Sequence, residues 1–270
     1  MLNSQYLERI KKKYYFFYLN GIDTSNNILN DFLIYNSFQS SLIHGCEFTF
    51  QEAYDYLSNG YTSVNKELFD YIILSNIYNS QKWFYSLFNN NFDLDVETII
   101  NLNSHLLIGI EYRIKEVAGY KIKKKIIKGR LKNGNNPLNY YFLKEENLSN
   151  YNLLNSLKIL LENIHYSNNI TIQNIVDFYV SFLHLSPFDM ANGRTLRIIT
   201  NYLFFKANLP FISFKKEDQN VYLDALNEYN NGKKSLLTNL FEKYLETNSI
   251  LSFNIYSNTD NYQIINEHIP

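Results

Sequence analysis

The sequence predicts an all-α domain carrying one small β-hairpin, and three observations support that expectation. Apolar residues recur at helical spacing along most of the chain. Gly and Pro number only 9 and 4 in 270 residues, too little punctuation for an all-β fold. One lysine-rich stretch, AGYKIKKKIIKGRLKNGNNPLNYYF from residue 118, breaks the helical period with short β-prone runs bounded by Gly129, Gly134 and Pro137.

The elements follow in order. Residues 64–88 place Leu68, Ile72, Leu74, Ile77, Trp83, Phe84 and Leu87 at helical spacing, and 94–110 repeat the pattern with Val96, Ile99, Ile100, Leu102, Leu106 and Leu107. From 171 to 185, TIQNIVDFYVSFLHL is apolar nearly all round, as a helix in the centre of a domain would be. A second such helix, RTLRIITNYLFFKANL, begins at Arg194 and stops at Pro210. Residues 215–230 and 234–246 read as two further helices separated by Asn231 and Gly232, and 248–270 reads as an irregular tail.

Composition excludes several functions. The net charge of −1 gives no overall basic field to recruit nucleic acid or anionic lipid. The one basic run, KIKKKIIKGRLK at 121–132, reads as a solvated hairpin face. Cys46 is the single cysteine, which excludes an intramolecular disulfide and a cysteine metal cluster and points to a reducing cytosol, with non-classical secretion as the alternative. The first 20 residues mix charge into their apolar part and show no signal-peptide pattern. No apolar run reaches the roughly 18 residues of a membrane span. The 24 Tyr and 20 Phe read as compositional bias rather than as a specialised surface.

Between the two buried helices lies HLSPFDMANGRTLR, residues 184–197. Asn192-Gly193-Arg194 runs straight into a helix, so free backbone N–H groups and the positive end of the helix dipole meet at the mouth of the loop. That is an anion site by construction, with phosphate the natural guest. Gly193 allows close approach, Asn192 tolerates left-handed geometry and can tie the loop to itself, and Arg194 and Arg197 are forked donors one turn apart. The competing interpretation is a buried structural turn whose arginines pair with acids.

The stretch SPFDMANGRTLR resembles the Fic (Fido) family signature HxFx(D/E)GNGRxxR. Phe182 and Leu185 before it, Asn201 and the NLP of 208–210 after it, and VYLDALNEYNNG at 221–232 extend the likeness. AGYKIKKKIIKG at 118–129 resembles the approach to the family's target-holding flap, and SSLIHG at 40–45 resembles the SSxIEG of its inhibitory helix. The resemblance implies a Fic/Fido helical domain with a β-hairpin flap. It divides the chain into an N-terminal helical region (1–95) with a degenerate inhibitory motif at Ser40 and His44, a core (96–247) and a tail (248–270). It also implies transfer of a phosphate-containing part of a nucleotide, most often AMP from ATP, onto a protein hydroxyl.

The departures bear on activity. Ser186 stands at the position of the family's catalytic His, Met190 at its metal-binding acid and Ala191 at the first Gly. A serine cannot act as a general base near neutral pH, and losing that base costs about 10²–10⁴ in rate. A thioether is a poor ligand for Mg²⁺, so no metal site is expected and Mg²⁺ dependence should be weakened or absent, with Asp189 the one alternative acid. His44 replaces the inhibitory Glu that would pair with Arg194. Ala191 resembles relatives that transfer phosphocholine from a cytidine nucleotide, so the donor need not be ATP.

Three functions remain open. The first is a pseudoenzyme or binding module that keeps the nucleotide contacts Asn192, Gly193, Arg194 and Arg197. The second is a diverged transferase using His44, His184 or a base supplied by a partner. The third is a purely structural or interaction protein that binds no nucleotide. In each, the flap at 121–142 is the expected surface for a protein target or partner.

Overall fold

A computed structural model describes residues 8–9, 22–88, 92–117, 120–132, 153–165 and 169–250. Among these, nine helices and one hairpin run in the order α1 (Ile22–His44), α2 (Phe50–Asn59), α3 (Leu68–Ser86), α4 (Val96–His105), β1 (Tyr112–Val117), β2 (Tyr120–Lys125), α5 (Leu153–His165), α6 (Ile172–Leu185), α7 (Asn192–Lys206), α8 (Gln219–Asn230) and α9 (Ser235–Thr247). The expected mostly helical architecture with a small antiparallel hairpin is therefore present. Among the described residues, no helix is long and apolar enough to cross a membrane.

Boundaries shift where caps act. The first of the expected helices starts at Leu68, leaving Val64 fully exposed in a turn. Asp95 caps α4, its carboxylate accepting from the Thr98 N–H at 2.7 Å. Besides α1, two helices are absent from those read by apolar periodicity, although α1 and α2 lie within the N-terminal region (1–95) expected to be helical. One is α2, which opens with a Thr49–Glu52 capping box and ends on left-handed Gly60. The other is α5, whose Leu157, Leu161 and Ile164 recur on one buried face. The hairpin begins at Tyr112, earlier than expected, and residues 133–142 of the expected flap lie outside the described residues.

The centre of the domain is α7. Residues 198–204 of it are all buried, and it packs against α6, α3 and α4. Many of the aromatic side chains pack here rather than forming a surface. Phe84, Phe88 and Phe92 crowd Tyr202 at ring separations of 5.3–6.2 Å, and the Tyr202 hydroxyl accepts from the Leu94 N–H at 3.1 Å. Asn201 exchanges two hydrogen bonds with Ile212 (2.8 and 3.1 Å), fixing the chain after Pro210. Ser249 bridges to Ile212, so the first residues of the tail pair with that segment, and 251–270 lie outside the described residues.

A buried polar network sets the register of α1. Asn36 donates to Gln81 of α3 at 2.7 Å, Gln81 donates to Ser37 at 2.7 Å, and Ser213 donates to Asn36 at 3.1 Å. The root of the flap is fixed to α4. Gly129 adopts φ +65°, and its N–H donates to buried Asn103 at 3.3 Å. A Cβ there would meet Ser104 Oγ at 2.2 Å and the Ile100 carbonyl at 2.9 Å. Gly129→Ala should therefore cost about 2–4 kcal/mol, combining left-handed strain with overpacking. Urea unfolding checks this, and a loss below about 1 kcal/mol would contradict the close contact.

Candidate functional site

Between α6 and α7 the loop is built from strained backbone and tight side-chain ties. Ser186 ends α6 in the left-handed region (φ 38°, ψ 58°), its N–H bonded to the Phe182 carbonyl at 2.9 Å. Ala191 precedes α7 in the same region (φ 63°, ψ 15°). The left-handed residue is thus Ala191, whereas Asn192, which could tolerate that geometry, is the first helical residue. A β-carbon in that conformation costs about 1–2 kcal/mol, and the closure of the loop offsets this strain. Asn192 supplies that closure: its carbonyl oxygen accepts from the Phe188 N–H at 2.9 Å while its amide donates to the Phe188 carbonyl at 2.7 Å. From α4, Asn103 donates to the Met190 carbonyl at 2.9 Å and to Thr195 Oγ1 at 3.3 Å. Asn103 is absent from the sequence-predicted site, although an Asn inside the buried stripe of an amphipathic helix signals a polar partner.

The first backbone bond of α7 runs from Thr195 to Ala191 at 2.8 Å, and no side chain caps the helix. The N–H groups of Asn192, Gly193 and Arg194 precede that bond and face the mouth of the loop. Gly193 keeps this approach narrow, since a Cβ would come within 3.3 Å of Arg197 Nη1.

The two arginines have different surroundings. Arg197 donates to Ser40 Oγ of α1 through Nε (3.1 Å) and Nη2 (2.8 Å), which docks α1 onto α7. Arg194 is only 3% exposed, and neither of its terminal nitrogens has a hydrogen-bond partner among the described residues. Burial first, and the charge of Arg197 second, bring its pKa down to about 10, so it remains a cation at neutral pH. Among the described residues, its neighbours offer no counter-charge. The buried Cys46 thiol is pushed up to about 12, by burial first and by Asp70 next, and stays protonated. His44, one turn beyond Ser40, is lowered to about 4 by partial burial and then by Arg194 and Arg197. One side of His44 remains open to solvent, yet its imidazole is neutral at physiological pH.

The remaining candidates are spread around the loop. His184, in the last turn of α6, bonds through Nε2 to Asn230 of α8 at 3.1 Å. Asp189 turns to the hairpin, where its carboxylate meets Arg113 at 3.3 Å and Lys124 at 3.4 Å. Arg113 and Lys124 are cross-strand partners and so share one hairpin face. The basic run is accordingly solvated only in part: Lys121, Lys123 and Lys125 face outward, while period-2 alternation turns Lys124 toward the loop. Beyond β2, Lys132 joins it there, donating through Nζ to the Ser186 carbonyl at 2.7 Å and to Ser186 Oγ at 3.1 Å.

These features place the chain in a known fold class: a mostly helical domain in which a hairpin leans on a loop that runs into a central buried helix is the Fic fold. The chain is similar to a Fic domain containing signaling protein from Bacteroides thetaiotaomicron, at 15% identity and TM-score 0.71, over 88% of this chain and 93% of that one. It is also similar to Fic-1 from C. elegans (12%, TM-score 0.70, 89% and 67% of the two chains) and to a Fic family protein from Desulfovibrio desulfuricans (12%, TM-score 0.59, 91% and 73%). No protein-family model and no curated protein matches the chain by sequence.

A divalent metal ion would find poor ligands in this loop. Met190 contributes a thioether, and the Asp189 carboxylate is engaged by two cations. Among the described residues, no three carboxylate, imidazole or thiol groups converge.

The displaced pKa of His44 has a thermodynamic consequence. Its folded value lies near 4 against 6.5 for the free group, so in that interval the unfolded chain binds more protons at this position. Stability should fall as pH drops from about 6.5 toward about 4, with no contribution from His44 above that window. Urea unfolding at a series of pH values should show a shallower acid slope for His44→Gln, and an unchanged slope would contradict the placement of His44 beside the two arginines.

Proposed function

We propose that the protein is a Fic-fold phosphate-binding module that holds a nucleotide, ATP or another, through Arg194 and the N-terminus of α7, and that it no longer transfers AMP by the family's standard chemistry. One observation carries this reading: a buried, cationic guanidinium whose two terminal nitrogens have no hydrogen-bond partner among the described residues. A buried unsatisfied polar group costs about 1–3 kcal/mol, and a charge costs more. A purely structural role would leave that cost unexplained, whereas a bound phosphate supplies both the counter-charge and bidentate acceptors. The loss of transfer rests on Ser186, which cannot take a proton from an attacking hydroxyl at neutral pH, and on the engaged Asp189 and soft Met190.

The neutral imidazole of His44 favours a second reading, a diverged transferase. A base must be unprotonated to act, and burial first, then the two arginines, keep His44 so, although a pKa of about 4 leaves it a weak proton acceptor at neutral pH. His184 is held by Asn230, away from Arg194, and is the weaker candidate. In either case the flap that contacts the loop is the surface on which a protein target or partner would dock.

Labelled nucleotides separate the two. The module should bind α-phosphate-labelled ATP or a cytidine nucleotide in equilibrium dialysis, lose about 10- to 100-fold in affinity in Arg194→Ala, and pass no label to proteins of a cell lysate. Covalent label that disappears in His44→Asn would replace the module with the transferase. Equal behaviour of wild type and Arg194→Ala toward every nucleotide would remove both readings.

A further inference from the structure

Ser40 and His44 stand one turn apart on α1, and Arg194 and Arg197 stand one turn apart on α7. Ser40 Oγ accepts from Arg197 at 2.8 and 3.1 Å, so the next turn of α1 carries His44 past that bond just as the preceding turn of α7 carries Arg194. The two meet in space, since the charges of both arginines reach the imidazole. We infer that His44 is the second cationic contact of the anion held by Arg194, and that it becomes one by taking a proton from solvent as the anion binds. The inference rests on the anion site proposed at Arg194 and names a further residue of it.

The end of α1 holds that side chain in place. Gly45 turns the chain at φ 109°, and the N–H groups of Gly45 and Cys46 both bond to the Ser41 carbonyl at 3.1 Å. Among the described residues, neither ring nitrogen of His44 has a hydrogen-bond partner, and the terminal nitrogens of Arg194 have none either. Arg197, by contrast, spends Nε and Nη2 on Ser40. Arg194 and His44 are therefore the pair of this cluster with hydrogen-bonding capacity left for a ligand.

Charge decides when His44 donates through both nitrogens. Without an anion, burial first and then Arg194 and Arg197 hold the ring at a pKa of about 4, so it is neutral. The groups beside it do not reverse this: Cys46 stays a thiol, and Asp70 of α3 is engaged with Cys46. A phosphate-type anion on Arg194 offsets the repulsion from the two arginines and lifts the ring toward its ordinary value of 6.5. His44 is also the last residue of α1, where the helix dipole favours a cation. The imidazolium then donates from both nitrogens, and each bond to a phosphate oxygen is charge-assisted. By linkage, the anion binds more tightly as pH falls from about 6.5 toward about 4, and the effect vanishes above that window.

Titration calorimetry of the full chain with sodium sulfate tests this, because sulfate stays a dianion throughout and every proton counted belongs to the protein. In buffers of different ionisation heat at about pH 5.5, wild type should take up about one proton per sulfate, and its affinity should rise about tenfold between about pH 7 and about pH 5. His44→Gln should take up none and bind with little dependence on pH. Wild type binding without proton uptake, or His44→Gln keeping the uptake and slope of wild type, would overturn the inference while leaving Arg194 as the anion contact. Sulfate binding that survives Arg194→Ala unchanged, or none by wild type, would remove the underlying site instead. Should His44→Gln not fold, the His44 ring titration followed by NMR in wild type decides: sulfate should raise its midpoint from about 4 by about one unit or more, and an unmoved midpoint would overturn the inference.

Discussion

The isolated charge of Arg194 is the constraint around which the rest of the site makes sense. The cation sits on the most buried helix of the domain, and its location follows from the fold. Because α7 packs against α6, α3 and α4, it is largely buried from Arg194 onward, while Asn192 and Gly193 stay partly exposed at the mouth of the loop. A guanidinium in that position would normally pair with an acid, since an unpaired buried charge is among the costlier features a core can carry. Here the groups around it are a second arginine, a protonated thiol and a neutral imidazole.

The remainder of the site holds this arrangement in place. The network of Asn36, Gln81, Ser37 and Ser213 fixes α1, which places Ser40 on Arg197 and His44 beside the arginine pair. Asn192 and Asn103 hold the loop closed despite left-handed conformations at Ser186 and Ala191. The hairpin takes up Asp189 on one face and, beyond β2, brings Lys132 to Ser186. Among the described residues, Asp189 is thus engaged by two cations, while Arg194 keeps its charge.

Much of this was legible in the sequence, for reasons that differ by element. The helices α3, α4, α6, α7, α8 and α9 followed from apolar periodicity, and α6 and α7 were recognisable as central because they are apolar nearly all round. The helix N-terminus at Asn192, Gly193 and Arg194 was legible from the sequence alone, since it is a local feature. The isolation of Arg194 was not, because it depends on what distant segments bring: Ser40 claims Arg197 across 157 residues, and His44 and Cys46 arrive on the same segment. The roles of Asn103, Arg113 and Lys132 were hidden for the same reason. The basic run looked uniformly solvated until strand pairing showed that alternate residues face opposite ways.

The central claim is that the cost of burying Arg194 is carried for the sake of an anion, and replacing it with the unbranched apolar Met tests that claim directly. The measurement is the unfolding free energy of wild type and Arg194→Met across a titration of inorganic triphosphate in EDTA. Without anion, the variant should be the more stable by about 1–3 kcal/mol, because an unsatisfied buried charge has been removed. As triphosphate rises, wild type should gain stability by mass action and overtake a variant that stays flat. A variant less stable from the outset, with neither protein responding to triphosphate, would show that Arg194 serves the fold and not a ligand.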